Sequence, residues 1–78
     1  MNLIRIPTPA AGCETYLNPE HVVYFQIEKY MAEDGRQLRR VIVELSNGHT
    51  MIAADDLSST VETARIIKEY FGVEVHVS

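Results

Sequence analysis

Residues 41–62, VIVELSNGHTMIAADDLSSTVE, decide how this chain folds. Val41, Val43 and Leu45 alternate with Ile42 and Glu44, and Arg40 continues the second set toward the N-terminus. A period of two marks a half-buried antiparallel strand. Asn47-Gly48 follows, and both residues tolerate the positive φ that a type I′ hairpin turn demands. A two-residue loop there sets Ser46 opposite His49, Leu45 opposite Thr50 and Val43 opposite Ile52. Ile52 and Ala54 then join the face of Val41, Val43 and Leu45, while His49 and Met51 share the other face with Ile42 and Glu44. A slip of one residue would reverse every side chain, so this register is the central expectation. Ser59 and Glu62 then have capping-box spacing, which predicts a helix start.

Working outward, Ala64, Ile67 and Phe71 fall on one helical stripe flanked by Val61 and Tyr70, and Gly72 is placed to end the helix in a left-handed cap. Val73, Val75 and Val77 alternate with Glu74 and His76, predicting a final short strand. Upstream, the strand opens at Leu38. The stretch MAEDGRQ, with Asp34-Gly35 as its turn signal, predicts a flexible hairpin loop. Val22 to Tyr30 is the preceding strand, with Val23, Phe25 and Ile27 on one face and Tyr24, Gln26, Glu28 and Tyr30 on the other. Tyr16 and Leu17 form a brief strand ended by Asn18-Pro19. Leu3 to Ile6 reads as an edge strand stopped by Pro7, before a loop through Cys13. The fold class expected is α+β: one domain over 1–78, a small twisted antiparallel sheet of about four or five strands, one C-terminal helix packed on one face, and a final short strand. The uncovered face would carry Tyr24, Tyr30, Ile42 and Met51, apolar enough to be an interface.

Composition bounds the function. At 78 residues the chain is one domain that buries only about 60–65% of its unfolded surface, a thin margin that self-association would widen. It is 46% hydrophobic and 23% charged, as soluble globular proteins are. A net charge of −4 argues against phosphate binding, which needs a concentrated basic surface. The lone Cys13 excludes an intramolecular disulfide or a cysteine-based zinc site and fits a reduced, cytoplasmic setting. MNLIRIPTPAAG holds no apolar core of a secretion signal, and no run approaches the roughly 20 apolar residues that span a bilayer.

Few residues look chemical. His49 and His76 with Glu44 and Glu74 would supply a two-histidine, one-carboxylate metal set if they met, but His21, His49 and His76 read as three surface or rim histidines. Asp55-Asp56 reads as a strand-to-helix turn that favours the positive end of the helix dipole, rather than an acid–base pair. Nothing places a serine or cysteine beside a base, and the four glycines are scattered at turns and caps. No catalytic residue, metal or cofactor is implied. Arg36, Arg39 and Arg40 are the one basic cluster, and with Tyr24 and Tyr30 nearby they are the possible nucleic-acid contacts.

Two stretches, YLNPEHVVYFQ (16–26) and residues 41–62, resemble the small bacterial FlbD-type flagellar proteins: an Asn-Pro-acid turn and strand, then a strand, an Asn-Gly hairpin, a strand and a short helix. A LytTR-type DNA-binding domain has a similar rhythm. The resemblance covers about half the chain and implies no catalytic residue; the longer loop MAEDGRQLRR, the tail VEVHVS and the acidic balance depart from it. The function expected is a non-enzymatic interaction or regulatory module that forms a homo-oligomer or binds another protein, with no membrane partner. The alternative is a nucleic-acid-binding regulator using Arg36, Arg39 and Arg40.

Overall fold

The computed structural model describes residues 3–6 and 14–77, so the expected loop through Cys13 lies outside the described residues. The chain runs β1 (Ile4–Ile6), β2 (Thr15–Leu17), a 3₁₀ turn at Pro19–His21, β3 (Val22–Met31), β4 (Gln37–Leu45), β5 (Thr50–Leu57) and α1 (Thr60–Phe71). The architecture is α+β with antiparallel pairing throughout. The strands divide into two sheets, β1-β2 and β3-β4-β5, where one sheet was expected. Asn18 and Pro19 redirect the chain between them. The Asn18 side chain accepts the Glu20 N–H at 3.0 Å, and Pro19 at the start of the turn has no N–H to offer a ladder.

The two hairpins of the larger sheet use one device. Ala32 donates to the Arg36 carbonyl at 2.8 Å, and Leu45 donates to the His49 carbonyl at 2.8 Å, each closing a three-residue loop. The third loop residue is left-handed in both, Gly35 at φ 87° and Gly48 at φ 85°. The second uses its side chain: Asp34 accepts the Arg36 N–H at 3.1 Å, and Asn47 accepts the His49 N–H at 3.0 Å. Among the described residues Asp56 alone of the non-glycines has positive φ, so Asn47 is not left-handed and the type I′ turn is excluded. A three-residue loop with a left-handed glycine replaces it. The extra residue shifts the register by one: Glu44 faces Thr50, Val43 faces Met51 and Ile42 faces Ile52. Met51 therefore packs against the core, and Ile52 takes its place on the open face. The loop expected to be flexible is equally tight, with strands to Met31 and from Gln37.

Two bulges in β5 then restore the core. The register shifts between Ile42↔Ile52 and Val41↔Ala54, so Ala53 and Ala54 are both buried. It shifts again before Arg39↔Leu57, where Asp56 sits at φ 55° and Leu57 is turned inward. A third bulge at Val22/Tyr24 turns Val22 toward Leu45 and leaves Val23, expected inside, 61% exposed.

The core joins both sheets and the helix: Ile6 and Leu17, then Val41, Val43, Ala53, Ala54 and Leu57, closed by Ile67. Ser59 caps α1 as expected, accepting the Glu62 N–H at 3.0 Å, and Gly72 ends it at φ 71°. The buried stripe is rotated from the expected one. Thr63 and Ile67 are buried, whereas Val61 is exposed. Thr63 tolerates burial because its hydroxyl donates to the Ser59 carbonyl at 2.8 Å. Phe71 stacks on Phe25 with ring centroids 5.3 Å apart, fixing the helix end beneath β3. Residues 73–77 form no ladder, in place of the expected last strand. Lys68 holds Glu74 at 2.9 Å, and Val75 packs against the core.

Candidate functional site

The helix covers the face of Phe25, Ile27, Val41 and Val43. The opposite face carries Tyr24, Gln26, Glu28 and Tyr30 from β3, Arg40, Ile42 and Glu44 from β4, and Ile52 from β5. Of the four residues expected there, Tyr24, Tyr30 and Ile42 are present. Met51 is not, because the register shift turned it inward.

Tyr30 is tied down rather than free. Its hydroxyl lies 2.7 Å from Asp55 Oδ1 and 2.5 Å from Asp56 Oδ1, and accepts the Asp56 N–H at 3.1 Å. The single phenolic proton is shared between the two carboxylates. The bonds to Asp56 and then Asp55, with partial burial, push the phenol up to about 12, against the opposing pull of Arg40 and the Asp56 N–H. The phenol keeps its proton at neutral pH, and the group fastens the end of β3 to the end of β5 across the sheet. Asp55 and Asp56 belong to the end of β5 and not, as expected, to a turn at the helix dipole. Partial burial works to raise the Asp55 carboxyl, but the Tyr30 hydroxyl, the Asp56 N–H and Arg40 outweigh it and hold it below the ordinary range.

The three arginines do not share a surface. Arg36 lies in the hairpin loop, its Nε 2.6 Å from Asp34 Oδ2. Arg39 is buried on the helix side of β4, across from Leu57. Arg40 points to the open face, stacked 4.0 Å over the Tyr30 ring, with Nε 3.4 Å from Asp55 and 3.7 Å from Glu28. Adjacent strand residues point to opposite faces, so the run that looks basic in sequence is divided in space.

The histidines are likewise apart. His21 is exposed, its Nδ1 3.3 Å from Ser46 Oγ. His49 closes the second hairpin, and His76 lies exposed on the tail. Among the described residues no three His, Cys, Asp or Glu side chains are grouped to hold a metal ion. No helix among them is long and apolar enough to cross a membrane.

Some of the exposed apolar side chains lie on β3 and β5, whereas Val61 on the helix, Leu3 and Tyr16 at the small sheet and Val73 on the tail are exposed elsewhere. Met31 is 68% exposed, Val23 61% and Tyr24 44%, with Ile52 at 41% on the open face. An open hollow of about 370 Å³ lies between the start of β3 and the helix end, lined by Val22, Val23, Phe25, Phe71 and Val73 among others. Val23, Met31 and Ile52 were not candidates from the sequence. The doublet Val22-Val23 inside an alternating strand was the available signal of a bulge. Ile52 followed from the turn type. Comparison with protein-family models, characterised proteins and solved structures finds no match to this chain.

Proposed function

We propose that this chain is a cytoplasmic, non-enzymatic interaction module that self-associates, with a regulatory or scaffolding role. One observation carries the reading. A small sheet exposes Val23, Tyr24 and Met31 along one strand and Ile52 on the face beside it. Tyr24 and Ile52 lie on the open face, and Val23 and Met31 at the two ends of the β3 edge. Apolar exposure along an edge strand and its open face supports a contact surface. The resemblance to FlbD-type proteins, which implies no catalytic residue, supports the same reading. A nucleic-acid role draws less support, since Arg36 and Arg40 are paired with carboxylates and Arg39 faces inward. The test is light scattering behind a sizing column at low and high salt. The expected result is a dimer or larger species indifferent to salt, as an apolar contact is. A monomer at every concentration overturns the reading.

A further inference from the structure

We propose that the partner is a second copy of this chain, joined edge to edge through β3 in an antiparallel register centred on Ile27. The inference rests on the self-association reading and names its surface.

The backbone of β3 is set up for it. In an antiparallel ladder, hydrogen-bonded and non-hydrogen-bonded pairs alternate. Ala32 donates to the Arg36 carbonyl, and the β3–β4 register continues unbroken from there through Tyr30↔Leu38 to Tyr24↔Glu44. Tyr24, Gln26, Glu28 and Tyr30 therefore spend their N–H and C=O groups on β4. Phe25, Ile27, Lys29 and Met31 direct theirs outward, and among the described residues no strand takes them. A long regular edge of this kind is a template for another strand. The other edge, β5, is not equivalent. Two bulges and the left-handed Asp56 break its line.

The side chains select the partner and the register. Two antiparallel copies of β3 are related by an axis normal to the sheet, so one residue must face itself. An axis at Glu28 or Lys29 sets like charges directly opposite, which is destabilising. An axis at Gln26 sets Val23 against Lys29 and leaves Met31 opposite the exposed His21. The axis at Ile27 sets Ile27 against itself, Gln26 against Glu28, Tyr24 against Tyr30 and Phe25 against the Lys29 stem. It also brings Val23, at the bulge just beyond the regular run, to the Met31 end of the second copy, twice by symmetry. These two are the most exposed apolar residues of the strand, at 61% and 68%, and each covers the other. The hydrogen-bonding phase permits this register, as it does any that faces the outward-directed Phe25, Ile27 and Lys29 with one another, so the choice rests on the side chains.

The test combines sedimentation equilibrium with a register probe. Lys29→Pro removes an outward N–H that the isolated fold does not use, twice per dimer. It should leave the circular dichroism of the chain intact and raise the dimer dissociation constant at least about tenfold. Separately, Gln26→Cys and Glu28→Cys are each made with Cys13→Ser. Non-hydrogen-bonded pairs bring Cα atoms to about 4.5 Å, within disulfide reach. Mixed under oxidation, the two variants should cross-link to each other, and neither should cross-link to itself. Self-linking of either variant overturns the Ile27 register. A dimer unaffected by Lys29→Pro, with no cross-link in the mixture, overturns the edge contact and leaves self-association standing through another surface. A wild-type chain that is monomeric throughout overturns both.

Discussion

The two ladders of the larger sheet share the strand β4 and the same kind of turn, yet they differ in regularity. Between β3 and β4 the register holds from Tyr24↔Glu44 to Met31↔Gln37 without a shift. Between β4 and β5 it shifts twice. The turns are not the cause, because Gly35 and Gly48 close equivalent loops with nearly equal φ. The cause is composition along the strand. β3 alternates cleanly after its first residues, so one register satisfies both faces. β5 reads Thr-Met-Ile-Ala-Ala-Asp-Asp-Leu, and no single register buries Met51, Ala54 and Leu57 together, since their spacing is odd. Each bulge changes the phase and brings the next apolar residue inward. A regular edge results on one side of the sheet and a broken edge on the other, and only the regular one can template another strand.

The largest effect should come from removing what holds the broken ladder in place. Ile67 is fully buried and closes the core over Val41, Ala54 and Leu57. Ile67→Ala should destabilise the chain by about 2–5 kcal/mol, read by urea denaturation. In native-state hydrogen exchange, the β5 amides should lose protection before those of β3. Equal loss along both ladders would show that the bulged ladder is no weaker than the regular one.

How far the sequence disclosed this structure depends on which physical constraint ruled each segment. The five strands of β1 to β5, the helix, the Ser59 cap and the Gly72 terminus all follow from alternation or from a capping residue whose chemistry is local. The register of the second hairpin did not follow, because Asn-Gly fits two loops: type I′ with both residues left-handed, or a three-residue loop with only the glycine so. The choice falls to packing, and packing favours Met51 inside over Ile52. The tail failed for a related reason. Val73, Val75 and Val77 alternate as a strand would, but a strand needs a partner edge, and alternation does not supply one. Of the candidate site, the open-face residues Tyr24, Tyr30 and Ile42 were legible from strand parity. The Tyr30–Asp55–Asp56 link was not, since it depends on a bulge. The division of Arg39 from Arg40 was legible from parity alone, although the cluster obscured it.

A smaller effect tests the second bulge directly. Asp56 is left-handed at φ 55°, a conformation that disfavours a residue with a Cβ. In an ordinary strand, glycine is less stable than alanine by roughly 0.5–1 kcal/mol. At position 56 the order should reverse, with Asp56→Gly about 1 kcal/mol more stable than Asp56→Ala in thermal or urea unfolding. Both variants lose the carboxylate beside Tyr30, so the difference between them reports the backbone alone. Alanine equal to or better than glycine would mean that β5 runs straight through Asp56.

The smallest effect is one of pH, and it too separates the ladders, because the affected groups sit at the bulge. Tyr30 is held near 12 against an ordinary value of 10.0. Between those values the unfolded chain releases a proton that the folded chain keeps. The stabilisation is therefore complete below pH 10 and disappears as pH rises through about 12. Asp55 acts at the other end. Its carboxyl is held below the ordinary 3.8, so its contribution is complete above that pH and is lost as pH falls through the folded value. Tyr30→Phe should remove the last-titrating phenol from an alkaline absorbance titration and flatten the alkaline limb of stability against pH. It should also speed hydrogen exchange at the Asp56 amide modestly, since it deletes the longer of that amide's two acceptors and leaves Asp55 Oδ1 at 2.8 Å, while the outward amides of Ile27 and Lys29 stay unchanged. Exchange that quickens along β3 as well would mean that the phenol supports the regular ladder, and that the two edges are not independent.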